Sequence, residues 1–79
     1  MPDSNPVTVV VAEIIARLEQ PVFRPFVIHL SDGRQVPVPT RDHCTVTRLL
    51  RRVEVETDDV RIIAINPLHI TSIEDERAA

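Results

Sequence analysis

The chain of 79 residues holds one glycine, one cysteine and two phenylalanines, with no tryptophan or tyrosine. Lysine is missing too, so all nine basic residues are arginine. Each scarcity excludes something. A lone Cys44 cannot form an internal disulfide, which removes the usual staple of very small secreted domains and fits a reducing compartment. Without Trp or Tyr there is no stacking platform of the kind used to recognise single-stranded nucleic acid. No apolar run reaches the roughly 18 residues needed to cross a bilayer, so no membrane association is expected. No positively charged amino-terminal region precedes an apolar segment, and the expected location is cytoplasmic. A formal net charge of −3 argues against a general nucleic-acid binder, because phosphate affinity comes from a basic surface.

What is present is ordinary for a globular domain: 43% hydrophobic and 27% charged residues. A domain of this size buries only about 60% of the surface exposed by its unfolded chain. Its stability margin is therefore thin, or shared with a partner subunit. Arginine-only usage beside abundant valine, alanine and proline fits a GC-rich genome. The chain divides into a flexible N-terminus at 1–5, a single small domain at 6–74 and a flexible acidic tail at 75–79. No internal repeat or low-complexity tract is visible.

The single glycine organises the most readable segment. Phe23-Arg24-Pro25-Phe26 leads into an alternating run, Val27-Ile28-His29-Leu30, then Ser31-Asp32-Gly33-Arg34 and a return strand through Gln35 and Val36. Asp32 and Gly33 form the structural turn of a β-hairpin, since glycine adopts positive φ without steric cost. The first strand covers 26–30, with Phe26, Ile28 and Leu30 on one face. Its partner covers 34–38, and Pro37, which has no N–H to donate, places that strand at an edge or turns the affected position away from a neighbour.

Upstream, Asn5-Pro6 matches a helix cap and first helical position, and Val7, Val10, Val11, Ile14, Ile15 and Leu18 follow near helical spacing. This predicts a helix over 6–20 ended by Pro21, although the β-branched run from Val7 to Val11 competes as a strand. Residues 44–50 fit a helix by spacing (Val46, Leu49, Leu50) and a strand by type (Cys44, Thr45, Val46, Thr47). The strand is preferred, because 52–57 and 60–65 read as strands joined at Asp58-Asp59 and need partners. After Asn66-Pro67, the residues Leu68, Ile70 and Ile73 form a short terminal turn or strand before Glu74-Asp75-Glu76.

From about residue 21 onward the chain resembles a group of short bacterial proteins with no assigned activity. The resemblance rests on Phe23-Arg24-Pro25-Phe26, Leu30-Ser31-Asp32-Gly33-Arg34 and His69-Ile70-Thr71-Ser72-Ile73-Glu74. A weaker similarity is to Sm-like domains, in which a helix leads into a five-stranded bent sheet. Asp42-His43-Cys44-Thr45-Val46 falls near their RNA-facing strand, and 69–73 near their last strand. The second strand lacks the glycine of that pattern and no aromatic stands at the base-stacking position, so the resemblance implies topology and no RNA-binding residues. The expected fold is α+β: an N-terminal helix packed on a bent antiparallel sheet of about five strands, close to an SH3-like or Sm-like small barrel.

No constellation points to a reaction. His43 and Cys44 are adjacent, and neighbours on a strand point to opposite faces, which makes them poor joint metal ligands. A Cys–His nucleophile pair needs the imidazole held at the sulfur by a third group, and nothing in the sequence specifies that. Catalytic residues, metal ligands and cofactors are therefore not expected. Arg48, Arg51 and Arg52, with Arg41 and Arg61 nearby, form the one basic concentration, and arginine forks suit phosphate. Glu54, Glu56, Asp58 and Asp59 follow immediately and can neutralise it across strands. Phe23 and Phe26 read as core residues sealing helix against sheet, with an exposed anchor for a protein partner as the alternative. The expected role is a non-catalytic interaction module that self-associates as a homo-oligomer. Its competitors are an Sm-like protein contacting nucleic acid through the arginine patch and a regulator of a larger enzyme or toxin.

Overall fold

A computed structural model describes residues 6–47 and 52–76. The fold is α+β: helix α1 (Pro6–Leu18) and strands β1 (Phe26–Leu30), β2 (Gln35–Val38), β3 (Cys44–Thr47), β4 (Arg52–Glu56), β5 (Ile62–Ile65) and β6 (Ile70–Asp75). Two 3-10 turns, Arg41–His43 and Pro67–His69, lead directly into β3 and β6. The strands make two antiparallel sheets of three, ordered β2-β1-β6 and β3-β4-β5. This corrects the expectation of one five-stranded sheet or closed barrel. The difference has a local cause: Pro39 follows β2 directly and ends it, and the terminal segment, which the sequence left open between a short turn and a strand, is a six-residue strand that pairs with β1.

The expected helix over the valine-rich segment forms, so tertiary packing overrides the β-branched propensity. Val11 and Ile14 are buried and Val10 and Leu18 pack against the core, which is the stripe that helical spacing predicts. The Asn5 cap lies outside the described residues. The helix stops at Leu18, two residues before the expected end, and its last carbonyls are taken by a side chain. Arg41 Nε donates to the Leu18 carbonyl at 2.7 Å and Nη2 to the Gln20 carbonyl at 2.5 Å. A cation there also complements the negative end of the helix.

The core is built by alternation. Phe26, Ile28 and Leu30 from β1, Val36 and Val38 from β2, Val53 and Val55 from β4, and Ile65 and Ile70 are buried together with Cys44. Strand β2 begins at Gln35, one residue after the expected start, and the Arg34 carbonyl before it accepts from Leu30 N–H at 2.9 Å, closing the hairpin. Strand β6 runs to Asp75, paired with Phe26, and Glu76 N–H donates to the Pro25 carbonyl at 3.0 Å. Ordered pairing thus continues into the segment read from sequence as an acidic tail.

The topology contains a repeat that the sequence reading did not see. Each half is a hairpin, a 3-10 turn ending in histidine, and a third strand: β1-β2-β3, then β4-β5-β6. The hairpin registers match at an offset of 27 residues, with Phe26 opposite Val38 and Val53 opposite Ile65. The third strands are exchanged, β6 joining β1 and β3 joining β4. Among the strand registers, those of the third strands differ: β6 shifts register between His29 and Leu30, whereas β3 pairs with β4 without a shift.

The two hairpin turns are also the same structure. Gly33 N–H donates to the Leu30 carbonyl at 3.0 Å, and Val60 N–H donates to the Thr57 carbonyl at 3.0 Å. The last loop residue is left-handed in both, with φ of 90° at Gly33 and 63° at Val60. Glycine suits that backbone and a β-branched residue is strained in it. Nothing lies within 4 Å of a Cβ added at Gly33, so the backbone alone sets the cost there. Gly33→Val is expected to lower stability by about 1 kcal/mol or more. Val60→Gly is expected to raise it by about 0.5–1 kcal/mol, the relief of strain exceeding the extra entropy of an unfolded glycine. Paired thermal or urea melts of the two variants check both signs.

Candidate functional site

Histidines tie the two halves together at equivalent places. His43, at the end of the first 3-10 turn, has Nε2 3.0 Å from Asp58 Oδ1 and Nδ1 2.6 Å from Thr40 Oγ1. The carboxylate only accepts, so Nε2 carries a proton, and in the neutral ring Nδ1 accepts from the threonine hydroxyl. At the end of the second turn, His69 Nδ1 lies 3.4 Å from Ser31 Oγ and its carbonyl accepts from Ser31 N–H at 2.7 Å. Ser31 and Asp58 are the first loop residues of their hairpins. Each turn therefore reaches across to the other half's loop.

The hydroxyl–imidazole–carboxylate chain has the residue types of an activated nucleophile. Its setting is that of a surface tie. The Asp58 side chain is 89% exposed, where water screens its coupling to the ring. A shallow cleft of about 330 Å³ opens beside it, lined by Asp42, His43, Thr57, Val60, Arg61 and Ile62 among others.

Among the described residues, the structure brings two of the predicted interaction residues together, Phe23 and Phe26. Phe26 is fully buried in the core, while Phe23 is half-buried with its ring centroid 6.0 Å from that of Phe26. Arg17 stacks over Phe26 at 5.6 Å and Arg41 over Phe23 at 5.8 Å. Arg17 also pairs with Asp75, anchoring α1 to β6. Arg48 and Arg51 lie outside the described residues, and exposed Arg52 opens β4 opposite Thr47.

Two arginines thought to extend the basic patch are committed elsewhere. Arg41 holds the end of α1, and Arg61 Nε donates to Asp59 at 2.9 Å. Arg34 Nε donates to Asp32 at 2.8 Å in the equivalent turn. Asp32 is held below the ordinary carboxylate range, chiefly by the Arg34 backbone N–H and next by its guanidinium. Asp59 is likewise lowered, first by the Thr57 hydroxyl and then by Arg61. These aspartates serve their turns.

Cys44 is buried at the start of β3, and loss of hydration pushes its thiol up to about 11. A thiolate is the reactive form, so the folded protein holds an inert cysteine. Among the described residues, no group of three or more His, Cys, Asp or Glu is arranged to hold a metal ion, and no helix is long and apolar enough to cross a membrane. Comparisons with protein-family models, curated proteins and solved structures found no match to this chain.

Exposed apolar side chains mark a different place. Val60 is 93% exposed, Ile62 64% and Leu68 69%, all at or flanking β5, while Val9 and Val22 are exposed elsewhere. The run of apolar residues at 62–65 carried this signal in the sequence, but alternation alone did not say which side of it would be covered.

Cys44 should react with a thiol reagent at pH 8 only as fast as the chain unfolds, with the full rate restored in urea. Because its folded pKa is raised from 9.0, stability should be intact below pH 9 and fall as pH rises toward about 11. Cys44→Ala should flatten that alkaline limb in melts across the range. Arg41→Met, which keeps the stem but removes both donors to the helix end, should cost about 1 kcal/mol or more, read by chemical denaturation.

Proposed function

We propose that this chain is a non-catalytic protein-interaction module that self-associates. The observation that carries this reading is the concentration of exposed apolar side chains between residues 60 and 68 in so small a domain. Removing such a side chain from water is worth about 1.5–3 kcal/mol, a large sum beside the stability of a chain of this length. Small single domains gain by closing such a surface against a partner. The dispersal of Arg41 and Arg61 into intramolecular bonds favours this over phosphate binding. Cytoplasmic placement fits a lone cysteine that stays a thiol.

Light scattering behind size exclusion, from low micromolar to near-millimolar concentration, tests the reading. The expected mass rises toward twice the 8.9 kDa of one chain. Ile62→Lys should stay at the monomer mass with an unchanged circular-dichroism spectrum. A mass that stays at one chain throughout overturns self-association. Co-purifying absorbance near 260 nm, lost in high salt, would favour the nucleic-acid reading instead.

A further inference from the structure

Four strands stand at sheet edges: β2 and β6 in one sheet, β3 and β5 in the other. Unpaired edges invite other strands, and proteins guard them with proline, charge or cover. Strand β2 carries Pro37. Strand β6 carries Glu74 and Asp75, the latter bound by Arg17 of the helix. Strand β3 lies against α1. Strand β5, Ile62-Ile63-Ala64-Ile65, has no proline and no charge.

The backbone of β5 tells which of its groups are open. Thr57 N–H donates to the Arg61 carbonyl at 2.8 Å, which makes Thr57/Arg61 a hydrogen-bonded pair of the β4–β5 ladder. Antiparallel pairs alternate, so Ile63 and Ile65 bond to β4. The N–H and C=O groups of Ile62 and Ala64 then point to the open edge. The other hairpin has the same alternation, set by Leu30 N–H on the Arg34 carbonyl, and there the outward position equivalent to Ala64 is Pro37. One hairpin closes its edge by removing the outward donor. Its twin keeps the donor.

We propose that β5 pairs antiparallel with β5 of a second copy of this chain, about a two-fold axis at Ile63, joining two three-stranded sheets into one of six. This rests on the self-association reading and names its seam. The register follows from two constraints. Only Ile62 and Ala64 offer outward groups, and placing Ile62 opposite Ala64 of the second copy forms four backbone hydrogen bonds, the largest number available to a four-residue strand of this phase. Opposed residues must also share a face, and Ile62 and Ala64 are both on the exposed face while Ile63 meets its own copy on the inner one. The seam brings no charge against a like charge, and it covers Ile62. Three opposed residue pairs make a small interface, so the dimer is concentration-dependent rather than permanent.

Ala64→Pro is the direct test, because Pro37 shows that this hairpin geometry accepts proline at the equivalent place. The variant should keep the wild-type spectrum and cooperative melt but remain monomeric in light scattering at concentrations where the wild type is dimeric. Ala64→Ser, which restores the donor, should dimerise. A second readout does not depend on proline: in a Cys44→Ala background, Ile63→Cys should form an intermolecular disulfide on mild oxidation, since non-hydrogen-bonded partners place their Cα atoms about 4.5 Å apart. The same substitution at Val9 should not. A folded, dimeric Ala64→Pro protein, or Ile63→Cys that fails to cross-link in a dimeric sample, overturns the β5 seam and leaves self-association through another surface standing. A wild type that never dimerises overturns both. If Ala64→Pro does not fold, the cross-linking result decides alone.

Discussion

Neither half of this chain completes a sheet by itself. The hairpin of β1 and β2 receives β6 from the far end of the sequence, and the hairpin of β4 and β5 receives β3 from the first half. A two-stranded hairpin is at best marginally stable in water, and a third strand with a buried face is what makes it persist. The exchange therefore makes the halves fold together. The long connection between Ile28 and Ile73 closes most of the domain, and the buried set of Phe26, Ile28, Val53, Val55, Ile65 and Ile70 draws on both halves. Loop-closure entropy delays such pairing until local hairpins are formed, which gives the two tight turns their importance.

Around this exchange the same devices recur with different residues. Asp32-Gly33-Arg34 and Asp59-Val60-Arg61 close the two hairpins with the same aspartate–arginine pairing, glycine relaxing one backbone and valine straining the other. His43 and His69 reach from their 3-10 turns to the opposite loops. Two of the differences between the halves meet solvent: Pro37 against Ala64, and a carboxylate at Asp58 against a hydroxyl at Ser31. The helix is the element without a counterpart. It is fastened by Arg17 to β6 and by Arg41 at its carboxyl end, so Arg41, which the sequence groups with a basic patch, acts as an internal tie.

The strands and the helix were legible because each signal is local. Alternation placed Phe26, Ile28 and Leu30 on one face, helical spacing selected Val11 and Ile14, and Asp32-Gly33 identified a turn. The choice of strand at 44–50 agrees with β3 over its described part. The repeat was hidden because its halves share few residue types: Phe26, Ile28 and Val38 correspond to Val53, Val55 and Ile65, which interchange freely in a core. The recurrence of Asp-x-Arg after an alternating strand was its one visible trace. The exposed face of β5 was hidden for another reason. A run of isoleucine, alanine and isoleucine reads alike whether its flank is covered or open.

The sequence by itself determined the first hairpin, the inward faces of its strands and the turn at the single glycine, since these depend on side-chain periodicity and backbone sterics within a few residues. Tertiary structure alone decided that the six described strands divide into two sheets, that β3 and β6 change places, that Arg41 and Arg61 are spent within the fold, and that β5 stands at a sheet edge with no strand beyond it among the described residues. Those outcomes depend on which strands meet across some 45 residues, and an alternating strand carries no mark of its neighbour. Pairing is settled by the joint burial of both halves, a property of the folded chain and of no segment in it.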